Sequence, residues 1–148
     1  MLNPLISIII PVFNGETFLN NCFANLNSQS YNNLDIIFID NNSSDKSFSL
    51  IKNYCGGKKN VRLLTCAVRG PSATRNVGLR AAKGEYLTFL DVDDEILPNK
   101  FHCLLKAFEK YPSATMVFGK VKKIYDSGVI INSVHGELSN GINICPNA

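Results

Sequence analysis

The sequence predicts an α/β fold, a mostly parallel sheet with helices on both faces. Three observations carry that expectation: short apolar runs rich in Ile, Leu and Val recur along the chain, helical patterns of 3.6-residue period lie between them, and polar residues collect where the runs end. Strand-helix alternation of this kind covers both faces of a parallel sheet. In such sheets ligands bind beyond the carboxyl ends of the strands.

The elements follow in order. Leu5 to Ile10 is a continuous apolar run stopped by Pro11, the pattern of a strand buried on both faces. Glu16 to Gln29 places Phe18, Leu19, Cys22, Phe23 and Leu26 on one helical face. Leu34 to Ile39 repeats the strand pattern and runs out into Asp40-Asn41-Asn42. A second helix opens at Ser44-Asp45, turns Phe48, Ile51 and Cys55 inward and closes at Gly56-Gly57. Val61 to Thr65 is a third strand, and Ser72 can cap a helix that runs to Lys83 before Gly84. Tyr86 to Leu90 is the fourth strand. Pro98 opens a helix to Tyr111 with Phe101, Leu104, Leu105 and Phe108 as its core face. Thr115 to Phe118 reads as a fifth strand, and residues 122–131 as a hairpin turning at Asp126-Ser127-Gly128. The polar, Gly- and Asn-rich stretch 132–148 reads as poorly ordered.

With 148 residues the chain can bury a sizeable core. Its five cysteines are odd in number and lack a close pair, which disfavours a disulfide framework or a zinc site and favours a reducing, cytoplasmic setting. No apolar run reaches the roughly 18 residues of a membrane span. The net charge of +3 hides an uneven distribution: from Lys46 to Gly84 there is no acidic residue, and nine Lys or Arg fall in that block. A block of one sign favours an anionic partner, a pyrophosphate or a membrane surface. No aromatic-interleaved basic stripe or helix-turn-helix pattern points to nucleic acid.

Asp91 and Asp93 are the chemical focus. They follow an apolar strand at a spacing of two, which in extended backbone points both the same way. Two convergent carboxylates suit a hard divalent cation, and without one they would repel. Around them lie Asn14-Gly15 after the first strand, Asp40-Asn41 after the second, and Arg69 and Arg75 about a helix start that favours anions. Each has a plainer alternative: Phe13 as core, Asp40 and Asn41 as turn formers, Arg75 as a structural ion pair. His102, beside core positions on a helix, reads as structural.

Four blocks carry a family resemblance. They are Ser7-Ile8-Ile9-Ile10-Pro11-Val12-Phe13-Asn14, then Ile39-Asp40-Asn41-Asn42-Ser43-Ser44-Asp45, Gly70-Pro71-Ser72-Ala73-Thr74-Arg75-Asn76-Val77-Gly78-Leu79, and Ala82 through Asp94. In this order and spacing the chain resembles the N-terminal half of a family 2 glycosyltransferase, an inverting nucleotide-sugar enzyme of the GT-A fold. The resemblance implies a nucleotide-diphospho-sugar donor, bound by Pro11, Phe13, Asn14, Asp40, Asn41, Arg69, Arg75 and Asp91. It also implies Mn²⁺ or Mg²⁺ at Asp93 and Asp91. Pro11 and Phe13 would flank the base, Arg69 or Arg75 would hold the diphosphate, and Asn76 would order the loop. Many members have two consecutive Asp where this chain has Asp40-Asn41, which leaves the nucleotide open.

An inverting transfer needs a base for the acceptor hydroxyl, and in the family that carboxylate comes from the acceptor side. Only Asp126 and Glu137 follow the last predicted helix, neither in a matching context. The expectation is therefore a donor-binding core over residues 1–120 and the start of an acceptor-side region over 121–148, without the catalytic base. The acceptor could be a sugar or a lipid-linked sugar, with peripheral contact at the inner face of a membrane. The alternative is a catalytically silent nucleotide-sugar-binding module.

Overall fold

The computed structural model of the chain describes residues 3–119, 121–124 and 130–133. They fall into two compact units, residues 3–28 with 32–96, and residues 29–31 with the described residues from 97 onward.

The first unit holds a four-stranded, all-parallel sheet of β1 (Ile6–Val12), β2 (Leu34–Asp40), β3 (Val61–Thr65) and β4 (Tyr86–Phe89), in the order β3-β2-β1-β4. Every residue of β2, and all but Pro11 in β1, is buried, as their unbroken apolar runs require. β1 does not stop at Pro11 but continues to Val12, in register with Ile39 and Asp40. Ile9 accepts a hydrogen bond from the Leu90 N–H, while Val12 accepts one from the Asn41 N–H. Alternation therefore turns the Pro11 nitrogen toward the β4 side, beyond the last β4 pair, where a missing N–H removes no ladder bond.

Helix α1 (Glu16–Asn27) and α2 (Ser47–Cys55) cover one face. There Phe23 stacks on Tyr54 with centroids 4.0 Å apart, and both meet Phe38 edge-on. Helix α3 (Pro71–Ala81) covers the other face, over Ile9, Ile37, Ile39 and Cys66. A β-carbon on Gly78 would overlap the Ile9 side chain and stand 2.7 Å from Ile39 Cδ1, so glycine sets how closely α3 lies on the sheet. Burial pushes the Cys22 thiol up to about 12, and the four described cysteines are free.

Several boundaries differ from expectation for local reasons. α3 begins at Pro71 rather than after a Ser72 cap: Gly70, at φ 119, turns the chain into it, and the Thr74 N–H and hydroxyl both donate to the Gly70 carbonyl. It ends at Ala81 because the Lys83 and Gly84 N–H groups are taken by the Ser7 hydroxyl. α2 starts at Ser47, and Phe48 is exposed rather than inward.

The second unit contains α4 (Lys100–Lys110), with Phe101 buried, and an antiparallel pair of β5 (Val121–Ile124) and β6 (Ile130–Ser133). The hairpin over 122–131 is thus present, with its turn outside the described residues. Asn132 and Ser133 belong to β6, and the rest of the stretch to 148 lies outside the described residues. The fifth strand expected at Thr115–Phe118 does not form: Met116 and Phe118 are exposed and the segment pairs with no strand among the described residues. β propensity without a neighbouring edge makes no ladder. His102 is exposed, its ring edge-to-face with Tyr31 at 5.3 Å.

Candidate functional site

The carboxyl ends of the sheet strands open onto a cleft of about 520 Å³. The end of β1 and the loop after it contribute Pro11, Phe13 and Asn14, the loop after β2 contributes Asn41, the loop into α3 contributes Arg69 and Gly70, and α3 itself adds Pro71, Thr74 and Arg75. Asp91, Val92 and Asp93 close the wall after β4. The cleft therefore gathers eight of the nine predicted site residues; Asp40 lies beneath its wall.

Asp91 and Asp93 share the cleft for a different reason than the strand pleat. β4 ends at Phe89, and the Asp94 N–H donates to the Asp91 carbonyl at 3.0 Å, making Asp91–Asp94 a β-turn. Arg75 donates from Nη2 to Asp91 Oδ1 at 2.6 Å, and its guanidinium lies 5.9 Å from the Phe89 ring centre. Asp93 is exposed and takes part in no ion pair among the described residues. Two carboxylates on one tight turn offer hard oxygen donors suited to Mg²⁺ or Mn²⁺. No cluster of three or more His, Cys, Asp or Glu side chains able to hold a metal ion occurs among the described residues.

At the other end of the cleft Phe13 is 52% exposed, so it is not core, and the Arg69 guanidinium lies 5.7 Å from its ring centre. Asp40 is buried; its Oδ2 accepts the Ser43 N–H, while its Oδ1 has no hydrogen-bond partner. Asn41 departs from the expected part. Both its N–H donors are used, to the Cys66 and Val68 carbonyls, and its oxygen accepts the Gly70 N–H. Asn42, at φ 58, donates to the Ala67 carbonyl. These two amides order the loop before α3; Asn76, expected to do so, is exposed on the helix.

The loops after β1 and β2 are lashed to each other. Asn14, at φ 49, accepts from the Ser44 N–H and donates its own N–H to the Ser43 hydroxyl. Gly15 donates to the Ser47 hydroxyl, Glu16 donates to Asp45 Oδ2, and Lys46 donates back to Glu16 Oε2. The N-termini of α1 and α2 thus cap one another across about 30 residues of sequence, each satisfying the other's orphan donors. The slight burial of Asp45 raises its pKa, but hydrogen bonds from the Ser47 hydroxyl and N–H and from the Glu16 N–H outweigh it. The carboxyl stays below its ordinary value.

At the opposite end of the strands a buried polar row ties the sheet to the α3–β4 connection. Asp35 accepts bonds from the Ser7 hydroxyl and from Arg62 at 2.8 Å, and Arg62 also donates to the Ala81 carbonyl. Arg62, one of the nine basic residues of the acid-free block, is therefore engaged within the protein and not free for an anionic partner. Lys58 is also engaged, its ammonium 3.4 Å from the Tyr54 ring centre.

Phe18, Thr74 and Val92 line the cleft without having been among the predicted site residues. Phe18, assigned to the core face of α1, is 46% exposed and lines the cleft. Thr74 is buried beneath it, and Val92 packs against Gly15. Helical period alone places Phe18 on the apolar stripe; only its position in the first turn, beside the strand end, hints otherwise.

The structure is thus a parallel α/β sheet whose carboxyl ends carry a cleft where an acidic turn meets Arg75. The chain belongs to glycosyl transferase family 2, whose model matches residues 7–143. Over 98 residues it is 48% identical to an uncharacterized glycosyltransferase of Haemophilus influenzae, covering 66% of this chain and 39% of the relative. It is also 36% identical over 111 residues to the GalNAc(5)-diNAcBac-PP-undecaprenol beta-1,3-glucosyltransferase of Campylobacter jejuni, covering 73% and 36%. The chain spans between 29% and 39% of the length of these and three similar curated relatives. Among solved structures, S. aureus TarS with UDP-GlcNAc superposes at a TM-score of 0.67 and 24% identity, over 73% of this chain and 32% of that one. The mannosyltransferase PcManGT of Pyrobaculum calidifontis with GDP-Man and Mn²⁺ gives 0.68 and 22%, over 83% and 37%. The fold is accordingly the α/β, Rossmann-like GT-A type.

Proposed function

We propose that the cleft binds a nucleotide-diphospho-sugar and that the protein transfers its sugar, with inversion, to an acceptor hydroxyl. The observation that carries this reading is the placement of Asp91 and Asp93 on one turn, with Arg75 bonded to Asp91 and Arg69 lining the same cleft. It is supported by two proteins of the same fold, one bound to UDP-GlcNAc and one to GDP-Man and Mn²⁺.

Each side chain has a task in this reading. Phe13 offers its exposed face to the base, with Pro11 beside it. Asn14 holds the Phe13 segment against the next loop. Arg69 and Arg75 supply positive charge for the diphosphate. Asp93 and Asp91 would hold Mn²⁺ or Mg²⁺, a Lewis acid that offsets charge on the departing nucleoside diphosphate. In the transfer the acceptor oxygen bonds to the anomeric carbon, the bond to the diphosphate oxygen breaks, and the hydroxyl proton goes to a base on the acceptor side. Residues 1–120 serve the donor and 121–148 begin the acceptor side. A sugar or lipid-linked sugar is the acceptor, met at the cytoplasmic face of a membrane.

Titration calorimetry with UDP, TDP and GDP, with and without Mn²⁺, tests the donor site. Binding of one nucleotide that strengthens with the cation is expected; no heat with any of them would sink the reading. A donor-hydrolysis assay on the same sample separates an enzyme from a silent binding module.

A further inference from the structure

Asn41 sits where a ligand contact was expected, yet its side chain is spent on the protein. It is buried, and its amide meets three backbone groups of one loop: the Cys66 and Val68 carbonyls at 2.8 Å each and the Gly70 N–H at 2.9 Å. The amide orientation is dictated by those partners, since two carbonyl oxygens require the NH₂ group and an N–H requires the oxygen. Asn42 adds a bond to the intervening Ala67 carbonyl, so three consecutive carbonyls are held by two neighbouring amides. The residue carried between the Val68 and Gly70 anchors is Arg69, whose guanidinium lies over the Phe13 ring.

We propose that Asn41 is a positioning residue: through the Cys66–Gly70 loop it fixes Arg69 over Phe13, and so sets the nucleotide-binding end of the cleft without touching the nucleotide. The inference rests on the donor-site reading above. An amide is the group this position needs. A carboxylate of the same shape donates no hydrogen bond when ionised, and it would face two carbonyl oxygens while keeping only the Gly70 N–H. The buried Cys66 carbonyl would lose its amide donor and the Val68 carbonyl would keep only the weak Cys66 thiol at 3.2 Å, which is enough to let the loop move.

The test is a double-mutant cycle in the full chain, read as the Kd of UDP and of GDP in the presence of Mn²⁺. Asn41→Asp is expected to weaken binding by about tenfold. Arg69→Gln alone should weaken it comparably, and adding Asn41→Asp to Arg69→Gln should cost little more, because Asn41 acts through Arg69. Effects that multiply would overturn the inference, since Asn41 would then act on the nucleotide or on the fold at large. A second measurement needs no variant: hydrogen exchange in the wild-type chain should show a protected Gly70 amide, and free exchange there would equally overturn it. Failure of the wild-type chain to bind either nucleotide would instead sink the donor-site reading, a result distinct from multiplying effects in a chain that binds.

Discussion

Arg75 and Asp91 form an ion pair, Nη2 to Oδ1 at 2.6 Å, that joins α3 to the turn after β4 across the cleft. The side chains are 32% and 49% exposed, so solvent screens the pair and its contribution to stability is below about 1 kcal/mol. Its importance is placement: it holds a cation beside one carboxylate of a pair that would otherwise repel. Arg75→Gln should change the thermal midpoint little and weaken binding of UDP or GDP with Mn²⁺ about tenfold, read by calorimetry.

Asp93→Asn separates metal from nucleotide. Its side chain is exposed and forms no ion pair among the described residues, so folding should be unaffected. The Mn²⁺-dependent share of nucleotide affinity should disappear, leaving the cation-free value. An unchanged Mn²⁺ dependence would remove Asp93 from the metal site.

Asp45 caps the first turn of α1 and also accepts the Ser47 N–H in α2. Asp45→Ala should destabilise the fold by about 1–2 kcal/mol, measured by urea unfolding near pH 7. The carboxyl's folded pKa lies below its ordinary, unfolded value, so its contribution is complete above the unfolded value and is lost as pH falls through the lower, folded one. The difference between wild type and Asp45→Asn should therefore shrink in strong acid and stay constant from about pH 5 upward.

Gly78→Ala pits two effects against each other. Alanine gains about 1 kcal/mol of helix propensity, but its β-carbon would overlap Ile9 and crowd Ile39. Overpacking of a tight helix-sheet contact costs about 1–3 kcal/mol, so net destabilisation is expected. Leu79→Ala, on the exposed side of the same helix, should cost much less.

Arg62→Ala should cost about 3 kcal/mol or more in unfolding free energy, because it strands the buried Asp35 carboxylate. Lys59→Ala, an exposed residue, should leave stability within about 0.5 kcal/mol. Membrane attachment through the basic block is therefore tested at Lys59, by liposome sedimentation, and not at Arg62.

Much of this chain is legible one residue at a time. The apolar runs Leu5–Ile10 and Leu34–Ile39 read as buried strands, since water would solvate so much Ile and Leu surface at high cost, and each lies almost wholly within a buried strand of the sheet. Their parallel pairing follows from the helices between them, and the carboxyl-end placement of Phe13, Arg69, Arg75, Asp91 and Asp93 follows from that pairing. Other features depend on partners distant in sequence. Thr115–Phe118 has strand composition yet finds no edge, and Phe18 fits a core stripe yet borders the cleft. Local propensity says nothing of where a neighbour's backbone will stop.

Hydrogen bonding draws the same line more sharply. Sequence determined that polar groups would gather after β1, β2 and β4, because apolar strands expel them to the ends. Which of those groups stay available for a ligand was decided only by tertiary structure. Asn14, Asn41 and Asp45 are as polar as Asp93, but backbone donors and acceptors from other loops fall within reach of the first three, and none of those described does so for Asp93. A short-range, directional bond is settled by position, and position is a property of the folded chain.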